Sequence, residues 1–164
     1  MWRTPKLPAD VRSQLALSDK ERILAWVDDG SGRPVVASET ALHLQRNPPA
    51  YSRFSWDQIE SASYDTEVLT ITLVPELGSS LLRVPVGPDA DLPVAVRDRV
   101  TASVVVDRFV PLEGDLGVRI IGRRGDHEAV SWRTDLDAAL ADRADLMIVV
   151  EELLAEVQAE VLAD

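Results

Sequence analysis

The sequence predicts a mainly β fold with helices, of the α+β class: an antiparallel β-sandwich or barrel closed by an amphipathic helix and followed by a β-hairpin and a C-terminal helix. Seven short strand patterns lie between residues 23 and 86, a helical period follows at about 89–105, and a second hairpin pattern precedes a long apolar helix. The chain has 164 residues, of which 46% are apolar, so it is long enough for one compact domain. We therefore expect a single domain, with a core at about 20–105 and an extension at about 106–164.

The first strands are predicted from alternation and from turn residues. The segments are RILAWVD (22–28), the turn DDGSG (28–32), PVVAS (34–38), ALHLQ (41–45) and RFSW (53–56). NPPAYS at 47–52 is expected to be a loop, because its adjacent prolines have no N–H to donate to a sheet. Upstream, PADVRSQLAL at 8–17 predicts a short helix that covers the sheet.

The remaining core strands are followed by the closing helix. The strands are SASYD (61–65), VLTITLV (68–74) and LLRVPV (81–86), and Pro85 favours an edge position for the last of them. Asp91 is a candidate N-cap, and Pro93 suits the first turn of the helix. Its apolar face is predicted to carry Val96, Val100 and Val104.

The C-terminal third predicts a strand, a hairpin and a long helix. The segments are VDRFVPL (106–112), a hairpin loop EGDLG (113–117), strands at 117–124 and 128–134 across GDH, and a helix from about Asp142. The helix carries an apolar stripe of Leu146, Val150, Leu153, Val157 and Val161, opposite Glu151, Glu152, Glu156 and Glu160. This stripe either packs on the sheet or pairs with a second copy of the chain.

Net charge restricts the classes of partner. The formal net charge is −11, whereas phosphate backbones and anionic lipids are bound through clustered Lys and Arg. Nucleic acid and membrane are therefore not expected partners. The one basic cluster is Arg119, Arg123, Arg124 and Arg133, most simply the solvated faces of a hairpin. With no cysteine, no apolar leader and no membrane span in the pattern, we expect a cytoplasmic location.

The sequence shows no pattern typical of catalysis or metal binding. Its two histidines are His43, between two inward leucines, and His127, in a hairpin turn, and both are expected at the surface. Neither HxH nor HExxH is present, and the GSG at 30–32 lacks the following helix of a phosphate loop. We expect no catalytic residues, no metal and no cofactor.

Several segments, taken in order, carry a family resemblance. The segments concerned are ILAW (23–26), DG (29–30), VVASETALHL (35–44), FSWDQIESASYD (54–65), VRDRVTASVVV (96–106), GVRIIGRR (117–124) and a later VSW. Together they resemble a family of uncharacterised actinobacterial proteins with a bacterial pleckstrin-homology-like (PH-like) fold. The resemblance spans about residues 20–135. It implies a bent sandwich whose open end is plugged by the helix, and it implies no activity.

Trp56 has two interpretations. In the segment W-x-x-I, Trp56 and Ile59 are three apart and can both pack on the core, which makes Trp56 an anchor whose indole N–H reaches a carbonyl or water. Alternatively, Trp56, Trp26 and Trp132 line an exposed aromatic groove for a peptide.

The leading functional hypothesis is a non-catalytic cytoplasmic module that binds another protein. Its candidate partner-binding residues are Trp26, Trp56, Trp132, Arg119, Arg123, Arg124 and Arg133. The alternative is a small-molecule-binding protein or an enzyme with its site at the mouth of the sandwich, near the tryptophans. Lipid binding is not expected, because the first hairpin loop, DDGSGR, has two acidic residues and one arginine. A homodimer through the C-terminal helix also remains open.

Overall fold

The computed structural model describes residues 6–28, 32–88, 90–125 and 128–164. The predicted α+β class is confirmed: helices accompany three antiparallel sheets. The chain divides into two compact units, one of Met1–Ser103 with Arg124–Ala129 and the other of Val104–Arg123 with Val130–Asp164. The single-domain organisation stays a prediction.

The first unit contains two sheets and two α-helices. Their bounds are α1 (Ala9–Gln14), β1 (Ile23–Asp28), β2 (Pro34–Ser38), β3 (Ala41–Asn47), β4 (Ala50–Ser55), β5 (Ile59–Asp65), β6 (Val68–Leu73), β7 (Leu81–Pro85) and α2 (Leu92–Ser103). One sheet has the strand order β1-β2-β3-β4 and the other has the order β5-β6-β7. The arrangement is sandwich-like, with two separate open sheets in the described residues rather than a closed barrel.

The main core lies between the two sheets and α2. It takes one face of each sheet, as the alternating pattern predicts, together with the buried face of the helix. Its largest fully buried side chains are Leu42, Ile59, Leu69, Ile71, Leu73, Leu92 and Val96. The predicted closing helix is therefore confirmed in position.

A second, smaller cluster covers the opposite face of the four-stranded sheet. Leu7 and Leu15 pack there on Val36 of β2, with Val11 of α1 and Trp26 beside them. Helix α1 is shorter than predicted, because the extended backbone of Leu15 ends it (φ −87°, ψ 140°). The predicted cover on the sheet is confirmed, and this face is shielded from solvent.

Two predicted boundaries were wrong. The 47–52 segment is not entirely loop, because Ala50 already pairs with Asn47 and begins β4 after the two prolines. Helix α2 ends at Ser103, so Val104 is not on its apolar face. Val104 begins the next strand and pairs with Arg123 instead. Three consecutive valines, 104–106, have low helix propensity and suit a pleated strand.

The second unit consists of one sheet and one long helix. Its elements are β8 (Val104–Glu113), β9 (Leu116–Arg124), β10 (Val130–Leu136) and α3 (Ala144–Ala163), with the strand order β10-β9-β8. The predicted hairpin loop at 113–117 is confirmed, since Glu113 pairs with Leu116. The turns predicted at DDGSG and GDH include residues 29–31 and 126–127, which lie outside the described residues.

Helix α3 shows the predicted stripe. Val150 and Val157 are buried, whereas Met147, Ile148 and Val149 are exposed. Two ion pairs join the helix region to β8, one between Arg108 and Glu160 at 2.9 Å and the other between Arg143 and Glu113 at 2.7 Å. One face of α3 is therefore packed and another is open.

Truncation of Leu92 tests the role of α2 as the closure of the core. Leu92 is fully buried, so Leu92→Ala should lower the free energy of unfolding by about 2–5 kcal/mol. Val94, on the same helix, is 63% exposed, so Val94→Ala should change it by less than about 0.5 kcal/mol. Urea unfolding followed by circular dichroism measures both, and equal effects would contradict this packing.

Candidate functional site

Trp56 anchors the turn between β2 and β3. It lies in a 3-10 helix, Trp56–Gln58, rather than in the predicted strand, and its side chain is 5% exposed. The indole Nε1–H donates to the carbonyl oxygens of Ser38 at 3.3 Å and Glu39 at 3.2 Å. The packing interpretation of Trp56 is confirmed.

The 3-10 helix is fixed by its own cap. Ser55 N–H donates to Gln58 Oε1 at 3.0 Å, and the Ser55 hydroxyl donates to Asp57 Oδ1 at 2.5 Å. Ser55 and Gln58 together form a capping box, which satisfies N–H groups that a helix start leaves open. The sequence S-W-D-Q thus holds the indole in one orientation.

A cavity of about 250 Å³ lies beside Trp56 in the first unit. We call it the Trp56 cavity, and its principal lining residues are Glu39, Thr40, Trp56, Arg99, Arg124 and Glu128. It unites two of the sequence-predicted site residues, Trp56 and Arg124, with Arg99 of α2. Sequence reasoning missed Arg99. The available signal was its spacing of four from Ser103, which places both side chains on one helix face toward the cavity.

Gly125 brings Arg124 to the cavity. A Cβ at position 125 would lie 3.0 Å from Asp57 Oδ1, so a larger residue would meet the 3-10 helix. Gly125 N–H also donates to Ala129 O at 3.0 Å. The close approach therefore favours glycine at this position, because any Cβ would have to displace the Asp57 carboxylate by a few tenths of an ångström.

The charged residues that line the cavity differ in whether they are paired within the protein. Glu39 accepts two hydrogen bonds from Arg22, one from the backbone N–H at 3.1 Å and one from Nε at 2.8 Å. These bonds, with a smaller contribution from the charge of Arg99, hold the pKa of Glu39 below its usual value. Within the described part of the chain, neither Arg99 nor Arg124 makes a hydrogen bond or an ion pair.

The buried carboxylate of Glu21 stabilises the turn between β2 and β3. Glu21 is 6% exposed and accepts hydrogen bonds from Ser38 Oγ at 2.6 Å, from Ser18 N at 3.2 Å and from both the N–H and the hydroxyl of Thr40. Burial alone would raise the pKa of Glu21, but the bonds from Ser38, Thr40 and Ser18 outweigh burial and lower it. Arg53 Nη2 donates to Thr40 Oγ1 at 3.0 Å. Glu21 is thus ionised and fully bonded.

The prediction that His43 is a surface residue was wrong. His43 points away from Leu42 and Leu44 as expected, but that face of the sheet is covered and the side chain is 1% exposed. Its Nε2 lies 3.2 Å from Ser38 Oγ. Burial, followed by the charge of Arg53, lowers the pKa of His43 to about 4, against a raising effect of Glu21. His43 is therefore neutral, and with Ser38 donating to Glu21, Nε2–H donates to the serine oxygen.

Ser38, His43 and Glu21 are residue types also found in hydrolytic triads. Here they are 0%, 1% and 6% exposed, so a substrate cannot reach the Ser38 hydroxyl in this structure. The sequence analysis also missed this network, because no local pattern joins residues at 21, 38 and 43. Its role in the structure is to fix the turn that forms the cavity wall.

The other two candidate tryptophans lie elsewhere. Trp26 is half-buried on β1 and packs in the cluster of Leu7, Leu15 and Val36, on the sheet face opposite the main core. Trp26 and Trp56 therefore do not share one groove. Trp132 lies on β10 in the second unit, half-buried against Gly122, where an added Cβ would be 2.9 Å from the indole.

The remaining candidate arginines belong to the second unit. Arg119 makes a two-pronged ion pair with Asp107, and Arg123 on the same strand face is 9% exposed and also acts electrostatically on Asp107. Arg133 Nη2 lies 3.3 Å from Asp135 Oδ2. These groups are engaged within the protein, and their role in partner binding stays a prediction. His127 lies outside the described residues.

Comparison of the chain with protein-family models, with curated proteins and with solved structures finds no match. Among the residues that the structure describes, no three His, Asp or Glu side chains are grouped to hold a metal ion. Within the same residues, no helix combines the length and the apolar character needed to cross a membrane.

The buried histidine makes stability depend on pH. The pKa of His43 is 6.5 in its ordinary state and about 4 in the folded protein, so the unfolded chain binds the proton more tightly. The free energy of unfolding should be at its full value above about pH 6.5 and fall toward pH 4, by at most about 3 kcal/mol.

Urea unfolding at several pH values, for the native chain and for His43→Gln, measures this dependence. Gln keeps a donor for Ser38 but does not titrate, so the fall between about pH 6.5 and 4.5 should largely disappear. The pKa of Glu21 is lowered in the folded protein, so protonation of Glu21 also reduces the free energy of unfolding, but only as the pH falls below the usual pKa of a glutamate. That reduction should remain in His43→Gln. An unchanged slope in His43→Gln would show that His43 is not the buried group responsible.

Proposed function

We propose that this chain is a non-catalytic cytoplasmic interaction module that binds a protein partner at the Trp56 cavity. The observation that carries the proposal is the pair Arg99 and Arg124, two guanidinium groups that make no hydrogen bond and no ion pair among the described residues, on one preformed cavity. The wall of that cavity is held by buried hydrogen bonds of Glu21 and Trp56. A rigid wall with open donors is typical of a binding surface that loses little entropy on association.

The proposed scaffold is PH-like, and the resemblance to the actinobacterial family belongs to the same proposal. In its support, strands β1 to β4 form one sheet, β5 to β7 form a second, and α2 follows directly and packs on the core between them. This order agrees with the seven strands and closing helix that the resemblance implies.

The size of the cavity favours one group of a larger partner over a whole small molecule. Ligand pockets commonly enclose about 300–1,000 Å³. The Trp56 cavity, at about 250 Å³, lies below that range. With a net charge of −11, the chain is also disfavoured as a partner for nucleic acid or anionic membrane. A protein side chain is the occupant that fits both observations, and a small ligand is the second candidate.

A pull-down from the lysate of the native host tests the proposal. The native chain should enrich one protein, and the variant Arg99→Gln with Arg124→Gln should lose it, because the open donors carry the contact. The control variant is Arg83→Gln with Arg97→Gln, which removes the same charge from exposed positions of the same unit that do not line the cavity. Quantitative mass spectrometry measures the enrichment.

Two outcomes would contradict the proposal. One is a partner lost equally from both variants, which would indicate a general charge effect. The other is no enriched protein with the native chain. In that case a thermal-shift screen of metabolites would test the small ligand, since a bound ligand raises the melting temperature.

Self-association through α3 is a separate part of the proposal. Met147, Ile148 and Val149 are 48%, 63% and 37% exposed, so three apolar side chains at successive positions of the helix reach solvent. Ile148→Glu should shift the chain toward the monomer of 18.0 kDa in sedimentation equilibrium. Val94→Glu, at a position that is also 63% exposed, is the matched control in the first unit. A native chain that stays monomeric at all concentrations would contradict this part.

A further inference from the structure

Several hydrogen-bond donors on the wall of the Trp56 cavity are already bonded within the protein. Trp56 Nε1–H donates to the carbonyls of Ser38 and Glu39, and Gly125 N–H donates to Ala129 O. Thr40 donates to Glu21 from both its N–H and its hydroxyl. These groups therefore have no proton left for a ligand.

The Ser103 hydroxyl is also occupied. It donates to the carbonyl of Val100 at 2.7 Å, within α2. Unlike these donors, the guanidinium groups of Arg99 and Arg124 make no hydrogen bond within the described residues. The named hydroxyl and amide donors are thus not available to bind a neutral ligand, whereas two arginines suit a charged oxygen acceptor.

The pairing of charged residues around the cavity also favours a ligand with a charged oxygen acceptor. Glu39 is matched by Arg22, at 2.8 Å, so its negative charge is compensated inside the protein. The cavity is lined by two guanidinium groups, Arg99 and Arg124, and by two carboxylates, Glu39 and Glu128. Its lining is therefore balanced in formal charge, although the chain as a whole carries −11.

We infer that the Trp56 cavity binds an oxyanion group of its protein partner, a carboxylate or a phosphoryl group, through Arg99 and Arg124. The volume of about 250 Å³ accommodates one such group with a few waters, since a water occupies roughly 30 Å³. Planar guanidinium groups bind both kinds of oxyanion through paired N–H donors. This inference rests on the proposed function and specifies the group that the cavity recognises.

Two-dimensional NMR of the full chain tests the inference, with sodium acetate and inorganic phosphate as probes and sodium chloride at equal ionic strength as the reference. The amides of Glu39, Thr40 and Gly125 and the indole N–H of Trp56 are the reporters. Acetate, phosphate or both should produce saturable shifts beyond those in chloride. The preferred probe identifies an acidic or a phosphorylated side chain as the source.

The two double variants used for the pull-down serve here as well. Arg99→Gln with Arg124→Gln should weaken the response at least tenfold, which corresponds to about 1.4 kcal/mol, and Arg83→Gln with Arg97→Gln should leave it unchanged. Amide shifts elsewhere show whether each variant is folded. Shifts no larger than in chloride, or equal in both variants, would overturn the inference.

The two proposals can fail separately. A partner that is captured by the native chain and lost from the cavity variant, without any oxyanion response, would overturn the oxyanion inference alone. An oxyanion response without a protein partner would overturn the proposed function while assigning the site to a small anionic molecule.

Discussion

The ionised, buried carboxylate of Glu21 is the interaction on which the organisation of the site depends. It lies just before β1 and gathers the hydroxyls of Ser38 and Thr40 and the backbone N–H of Ser18. A carboxylate taken out of water is costly unless its acceptors are filled, and here they are. The result is a β2–β3 turn held by a charged group rather than by glycine or proline.

The neighbouring elements reinforce this turn. The indole N–H of Trp56 donates to the carbonyls of Ser38 and Glu39 in this turn. Glu21 thus binds donors of the turn, and Trp56 binds its acceptors. His43 stays neutral because the same enclosure excludes water. Protection from solvent and saturation of hydrogen bonds thus act together in the wall. Arg99 and Arg124, in contrast, make no hydrogen bond within the described residues.

Much of the fold was predictable because its signals are local. The alternation of Leu69, Ile71 and Leu73 sets both the strand and its buried face, and Thr66 with Glu67 sets the turn before it. The end of α2 was not predictable from periodicity, since Val104 continues the helical spacing of Val96 and Val100. Its choice of strand depends on Arg123, nineteen positions along the chain.

The site was predictable only in part. Trp56 and Arg124 stand out by residue type and position, whereas Arg99 is one arginine among several on a predicted helix. The burial of His43 could not be read from its strand, because it depends on which face the N-terminal segment covers. Long-range enclosure of this kind has no signature in a short window of sequence.

The segment Arg124–Ala129 belongs to the first unit although the strands on either side of it belong mainly to the second. The first unit is therefore discontinuous along the chain. A coding fragment that stops at Ser103 would encode all seven strands of the two sheets and the closing helix, yet it would omit one wall of the cavity. Any contiguous segment that carries the whole lining of the Trp56 cavity must therefore also carry Val104–Arg123 of the second unit.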